Sequence, residues 1–290
     1  MSEQKHKLIV VSGLSGSGKS IALNVLEDAG YNCIDNLPVS LFETLALELS
    51  AKVGENWQHT AIGIDARIAG AELNKVPTLV EKLNVQGIDS EIVFLQADNN
   101  ILMQRFSETR RRHPLTDDIN DLEAAIQLER DLIAPLADSA KLQIDTSLTT
   151  LHELREIIRQ RVADRGQNQM SLMLQSFGFK HGMPRNADYV FDVRCLPNPH
   201  WQSELRPLTG RDRPVAAFLE QATDVDAMFK HISDFLTFWI PRFEKDGRSY
   251  LTIAIGCTGG QHRSVYLTER LNDFFAQQDR PVLCSHRELP

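Results

Sequence analysis

A short apolar run, Leu8-Ile9-Val10-Val11-Ser12, leads without a break into Gly13-Leu14-Ser15-Gly16-Ser17-Gly18-Lys19-Ser20. The second stretch has the form G-x-x-x-x-G-K-S, a phosphate cradle. In it glycines let backbone N–H groups converge on phosphate oxygens, the lysine reaches the outer phosphates and the final hydroxyl ligates Mg²⁺. Residues 13–20 are therefore candidate nucleotide-binding positions for a purine triphosphate with magnesium, and Ser20 is a candidate metal ligand. Beyond them Ile21, Ala22, Val25 and Leu26 recur at helical spacing, and Gly30 stops the pattern. Strand, loop and helix in that order commit the start of the chain to an α/β domain in which the first strand feeds a helix N-terminus.

Tyr31–Asp35, His59–Asp65, Glu91–Ala97 and Leu142–Asp145 supply four more apolar strands separated by amphipathic stretches, and strands joined by helical crossovers form a parallel sheet. A helix is expected from Thr149 to Val162. The polar run from Ala163 to Gln169 is a linker, so the expected domains are 1–163 and 170–290. The second half offers strands at Met170–Phe177, Ala187–Val193 and Tyr250–Ile255, a helix at Asp224–Phe243, and no repeat, so it reads as a second α/β domain.

Bulk properties exclude several classes. The net charge of −8 argues against a lysine-coated nucleic-acid binder, so any RNA contact must be local. Cys33, Cys195, Cys257 and Cys284 lie far apart with no C-x-x-C, which disfavours a disulfide framework and a zinc site and suits reduced thiols. The polar N-terminus and strand-length apolar run exclude a signal peptide and a membrane span, so the expected location is cytoplasmic.

A second loop, Gly256-Cys257-Thr258-Gly259-Gly260-Gln261-His262-Arg263-Ser264, also follows a strand and opens a helix. It predicts another anion site, with Arg263 as a bidentate phosphate partner and His262 and Thr258 as donors. Cys257 and Arg263 equally fit the spacing of cysteine phosphatases, in which a thiolate attacks the phosphate held by the loop, with Asp192 as an acid candidate. In the first domain Asp65 ends a strand, where a P-loop protein's second acid orders magnesium or where a turn is capped. Asp35 at the next strand end is a ligand contact or a turn residue. Arg105, Arg110, Arg111, Arg112 and His113 form a phosphate lid, a polyanion contact or a solvated face. His181 and His200 fall in glycine- and proline-rich loops of the second half, whereas His286, like the remaining histidines, has no ligand spacing, and no metal beyond magnesium is indicated.

Taken together, these loops with Cys33-Ile34-Asp35-Asn36-Leu37-Pro38, Ser176-Phe177-Gly178-Phe179-Lys180-His181-Gly182, Asp188-Tyr189-Val190-Phe191-Asp192-Val193-Arg194 and Leu196-Pro197-Asn198-Pro199-His200-Trp201 make the chain resemble the RapZ family of RNase adapter proteins over essentially its whole length. The resemblance implies binding of ATP or GTP with Mg²⁺, weak hydrolysis at most, and a C-terminal domain similar to part of phosphofructokinase. It implies sensing of glucosamine-6-phosphate and presentation of a small regulatory RNA to RNase E, which controls glucosamine-6-phosphate synthase. Sugar-phosphate contacts carry over to Asp192, Arg194, His200, Cys257, Thr258, Gly259, His262 and Arg263. A guanine-nucleotide segment of pattern D-x-R-N maps to Asp65, Ala66, Arg67 and Ile68, where Ile68 departs from asparagine; Asp65 is also the second expected metal position. The chain lacks a lysine-rich tail, and Arg270, Arg280 and Arg287 are the expected RNA contacts. A homo-oligomer is expected. The alternatives are a P-loop small-molecule kinase with a cosubstrate near Asp35 and a cysteine-dependent phosphatase in the second domain.

Overall fold

The computed structural model describes residues 6–50, 58–66, 70–115, 121–164, 170–278, 280 and 282–289. The chain divides into two compact units, residues 1–164 and 165–290. In the first, β1 (Lys7–Gly13), β2 (Asn32–Ile34), β3 (His59–Ile64), β4 (Asp89–Gln96) and β5 (Leu142–Asp145) form a parallel sheet in the order β2-β3-β1-β4-β5. The central strand β1 is buried along its whole length, as a strand covered on both faces must be. The crossovers are α1 (Lys19–Asp28), α2 (Val39–Ser50), α3 (Gly70–Leu73), α4 (Lys75–Val85), α5 (Asn99–Thr109) and α6 (Leu122–Asp138), and α7 (Leu151–Ile158) follows the last strand. Leu8, Val10, Ile62, Ile64, Ile92 and Phe94 from the sheet pack with Phe42, Val76 and Ile133 from the helices into one apolar core.

Local chemistry trims several expected elements. The strand at residues 32–34 ends before Asp35 because Asp35 and Asn36 form a turn, with Asn36 at φ 52°. The helix expected from Thr149 begins at Leu151, since Thr150 is its N-cap: the Thr150 hydroxyl accepts from the Glu153 N–H, and the Glu153 carboxylate accepts from the Thr150 N–H at 2.7 Å. Its last turn widens into a π-helical segment, Arg159–Ala163, closed by Asp164 N–H donating to the Arg159 carbonyl.

The second unit has its own parallel sheet, β7-β8-β6-β9, from β6 (Ser171–Gly178), β7 (Tyr189–Asp192), β8 (Tyr250–Cys257) and β9 (Val282–His286). Helices α8 (Arg213–Glu220), α9 (Thr223–Lys245) and α10 (Arg263–Ala276) cover it, burying Leu236, Ile240, Leu267 and Leu271 against Leu172, Leu174, Ile253 and Ile255. Strand β8 runs two residues further than its apolar run suggests, because its pairing with β6 continues to Gly178 opposite Cys257. The edge strand β9, absent from the sequence-based reading, pairs with β6 from Leu172 opposite Val282 to Ser176 opposite His286. Both units are thus α/β with parallel sheets. Among the described residues no helix is long and apolar enough to cross a membrane.

Candidate functional site

Each unit carries a strand–loop–helix at the carboxyl edge of its sheet, where ligands of open α/β folds bind. The first lies between β1 and α1. Gly13 leaves the strand at φ 147° so close to β4 that a Cβ there would sit 2.0 Å from the Leu95 carbonyl oxygen, and Leu14 N–H donates to that same oxygen. The Leu14 side chain is buried beneath the loop, Gly16 and Gly18 hold positive φ, and Lys19 opens α1 with Ser20 exposed beside it. Part of this loop is occupied by the protein's own groups. Lys19 Nζ folds back to the Gly13 carbonyl at 2.8 Å and lies 3.0 Å from Asp65 Oδ1. The Glu129 carboxylate of α6 accepts the Ser15 N–H at 2.9 Å and the Ser15 hydroxyl at 2.7 Å.

Glu129 is buried together with His113, whose Nε2 lies 3.0 Å from Glu129 Oε2. His113 Nδ1 accepts the Leu115 N–H, so Nε2 carries the proton and donates to the carboxylate. Burial pushes the Glu129 carboxyl up, but His113, Lys19 and Ser15 outweigh it and hold the group below its ordinary value. Arg105 donates to the Gly16 carbonyl at 3.0 Å and to the Thr146 carbonyl at 2.6 Å, and Thr146 donates in turn to the Ser17 carbonyl. The arginine-rich segment therefore splits: Arg105 reaches the loop, His113 backs the Glu129 that contacts it, and Arg110, Arg111 and Arg112 face solvent. Ala66 is buried behind Asp65, and Arg67 and Ile68 lie outside the described residues.

The donor set suits a magnesium nucleotide. Ser20 and Asp65 offer the hard oxygens that Mg²⁺ takes, and the buried Ser17 hydroxyl has no partner among the described residues. Glu129 was not legible as a participant, since 114 residues separate it from Ser15 and nothing in its helical pattern distinguishes it.

The second loop joins β8 to α10. Gly178 and the Gly259–Gly260 backbone approach so closely that a Cβ on Gly178 would lie 2.7 Å from the Gly259 carbonyl carbon. A cavity of about 170 Å³ opens above the loop, lined by Lys180, Asn198, His200, Cys257, Thr258, Gly259, Gln261, His262 and Arg263. Six of the eight expected sugar-phosphate residues line it. Asp192 and Arg194 do not: they pair with each other at 2.7 Å in a half-exposed position, and the Arg194 guanidinium stacks 4.0 Å from the Phe179 ring centre. Arg194 still supports the site through its backbone, because Arg263 Nη1 donates to the Arg194 carbonyl at 2.7 Å and to the Leu196 carbonyl at 3.0 Å. Lys180, Asn198 and Gln261 join the lining unforeseen, although all three stand inside the loops that carried the family resemblance.

Arg263 is buried, and its Nε–H has no partner among the described residues. Its Nη2 donates to the Thr258 hydroxyl at 3.2 Å. Beneath it Cys257 Sγ accepts the Gly260 N–H at 3.2 Å and lies 3.1 Å from the Ser264 hydroxyl. Burial raises the Cys257 thiol, but those contacts and the Arg263 charge outweigh it, leaving the group below its ordinary value. Burial lowers His262, with the neighbouring His200 and Arg263 acting in the same direction, so it stands neutral against the Leu205 carbonyl at 3.1 Å.

The expected RNA contacts lie elsewhere on this unit, already engaged. Arg270 pairs with Asp226 at 2.5 Å, Arg280 is bidentate to Glu244 at 2.6 and 3.2 Å, and Arg287 donates to the Gly182 carbonyl at 3.1 Å.

Comparison with known proteins matches residues 6–166 to the RapZ-like N-terminal domain and residues 170–290 to the RapZ C-terminal domain. "Nucleotide-binding protein MCA0739" of Methylococcus capsulatus is 53% identical, over 98% of this chain and 96% of that protein. A "Nucleotide-binding protein" of Cellvibrio japonicus is 51% identical over 97% and 95%, and one of Halorhodospira halophila 52% identical over 98% of each chain. With both halves matched in order and relatives aligned end to end, the chain belongs to the RapZ family.

Proposed function

We propose that this protein is a nucleotide-binding regulatory adapter whose C-terminal domain senses glucosamine-6-phosphate and binds a small regulatory RNA for processing by RNase E. The observation that carries the sensing half is the cavity of about 170 Å³ lined by buried Arg263, whose Nε–H has no partner among the described residues. That volume is below the roughly 300–1,000 Å³ of drug-sized pockets and suits a small phosphorylated metabolite. Arg263, Lys180 and the loop N–H groups would take the phosphate, and Asn198, His200 and Gln261 offer donors and acceptors to hydroxyls. The first loop takes ATP or GTP: Lys19 would leave Asp65 for the outer phosphates, and Ser20 and Asp65 would hold the magnesium ion that screens their charge. RNA contact draws on Arg270, Arg280 and Arg287, the first two exchanging carboxylate partners for backbone phosphates.

The test is calorimetric titration of the full chain with glucosamine-6-phosphate, alongside recovery of RNA crosslinked to it in cells with and without the sugar phosphate raised. Arg263→Lys, which loses the planar fork, is expected to weaken the sugar phosphate by about 30-fold or more, and Lys19→Ala to abolish nucleotide binding with the sugar phosphate unaffected. Equal loss of both ligands in either variant, or crosslinked RNA indifferent to the metabolite, refutes the reading. A second reading, a cysteine-dependent phosphatase, is favoured by one observation: Cys257 Sγ sits under the anion loop with the Gly260 N–H and Ser264 hydroxyl upon it.

A further inference from the structure

Glu269 in the middle of α10 meets Cys284 and His286 on β9, away from the residues that line the cavity. His286 Nε2 lies 3.0 Å from Glu269 Oε1, and Cys284 Sγ lies 3.8 Å from His286 Nε2 and 4.0 Å from Glu269 Oε2. Zinc holds thiolate sulfur at about 2.3 Å and imidazole nitrogen or carboxylate oxygen at about 2.0–2.1 Å; at tetrahedral angles those bonds set neighbouring donors about 3.3–3.6 Å apart. The separations involve both oxygens of the Glu269 carboxylate; with one donor atom taken from each residue, all three lie within 4.8 Å of one another. An ion is therefore accommodated once side-chain rotations draw the three donors together.

The surroundings orient the donors. The Ser176 hydroxyl of β6 sits 2.7 Å from His286 Nδ1, which leaves Nε2 turned toward Glu269 and Cys284. Arg211 Nε–H donates to Glu269 Oε1 at 2.5 Å and leaves Oε2 on the side of the sulfur. Outer partners of this kind, on the far ring nitrogen of a histidine and on a ligating carboxylate, fix orientation and charge in metal sites. The His286 side chain is 3% exposed and that of Glu269 31%, so the cluster is anchored on one side and open to an ion and a completing water on the other. The absence of C-x-x-C does not bear on this cluster, because its donors come from two separate elements.

We propose that Glu269, Cys284 and His286 form a Zn²⁺-type metal site that clamps the edge strand β9 to α10. Strand β9 pairs in the sheet with β6 alone, and the ion would add a bond between it and α10 and steady the segment that ends in Arg287. Without a cation, burial and the Glu269 charge push the Cys284 thiol up to about 12, so uptake of the ion displaces its proton.

The test is titration of the full-length protein, stripped of metal by a chelator, with Co²⁺ and then Zn²⁺. The expected result is one Co²⁺ per chain with a thiolate-to-cobalt charge-transfer band in the near ultraviolet, bleached by Zn²⁺. Cys284→Ser should lose the band while keeping its circular dichroism. Ser176→Ala, which keeps all three donors, should weaken Co²⁺ binding by about 10- to 100-fold. Absence of the band in the wild-type protein, or its persistence in Cys284→Ser, overturns the site. Unchanged Co²⁺ affinity in Ser176→Ala overturns it as well, even if Cys284→Ser misfolds.

Discussion

The two glycine loops follow the same path from a strand to a helix N-terminus, yet the first is partly occupied by the protein's own groups and the second borders an open cavity. In the first, Lys19 is bound to Asp65 and the Gly13 carbonyl, and Glu129 occupies the Ser15 N–H that would face a phosphate. In the second, Arg263 is braced by two carbonyls, has an Nε–H with no partner among the described residues, and lines a formed cavity. A ligand of the first loop must displace ion pairs, so its affinity is a difference between two charged states and depends on protonation. A ligand of the second enters a preorganised site, where shape and hydrogen-bond satisfaction select it.

Breaking the first loop outright should give the largest effect. In Gly13→Ala the new Cβ meets the Leu95 carbonyl oxygen at 2.0 Å with the backbone at φ 147°, so the N-terminal unit is expected to lose roughly 4 kcal/mol or more. Differential scanning calorimetry should show that transition lowered or gone while glucosamine-6-phosphate still binds. Loss of both transitions would show that the units do not stand alone.

Glu129→Gln sharpens the contrast at intermediate size. Removing a buried negative charge beside the phosphate position should tighten nucleotide binding about 5- to 20-fold at neutral pH by isothermal titration. Because the folded Glu129 pKa is depressed, its ionised form stabilises the nucleotide-free protein fully above the ordinary value of 4.5, and that contribution is lost as pH falls through the lower folded value. Urea melts across that window should slope less for Glu129→Gln than for the wild type; parallel slopes would mean that the carboxylate is not an internal stand-in for phosphate.

The smallest effect is expected at Cys257→Ser, which keeps the cavity's outline. Its affinity for glucosamine-6-phosphate should stay within about threefold, and neither protein should turn over p-nitrophenyl phosphate. Wild-type turnover that vanishes in the variant would instead make the second loop a phosphatase.

The apolar strands of both sheets and the glycine loops were visible as patterns because parallel strands buried on two faces read as continuous apolar runs. β9 was not: at an edge its residues are mostly half-buried, and Val282 to His286 shows neither a continuous apolar run nor a clean alternation. Lys180, Asn198 and Gln261 stood in recognisable loops, but their convergence on one cavity depends on Gly178 packing against the Gly259–Gly260 backbone.

By itself the sequence determined a parallel-sheet α/β unit followed by a second α/β unit and the two loops whose glycines and cations suit phosphate, since these follow from local periodicity and short-range backbone geometry, while the family was legible in its longer motifs. Only the tertiary structure decided that Glu129, backed by His113, occupies part of the first loop, that Asp192 and Arg194 pair with each other outside the cavity, and that Glu269 meets Cys284 and His286. Those contacts join separate elements at sheet edges. Side-chain charge and hydrogen-bond reach act over a few ångströms in space whatever the separation along the chain, so strand order, which no local pattern encodes, chose the partners.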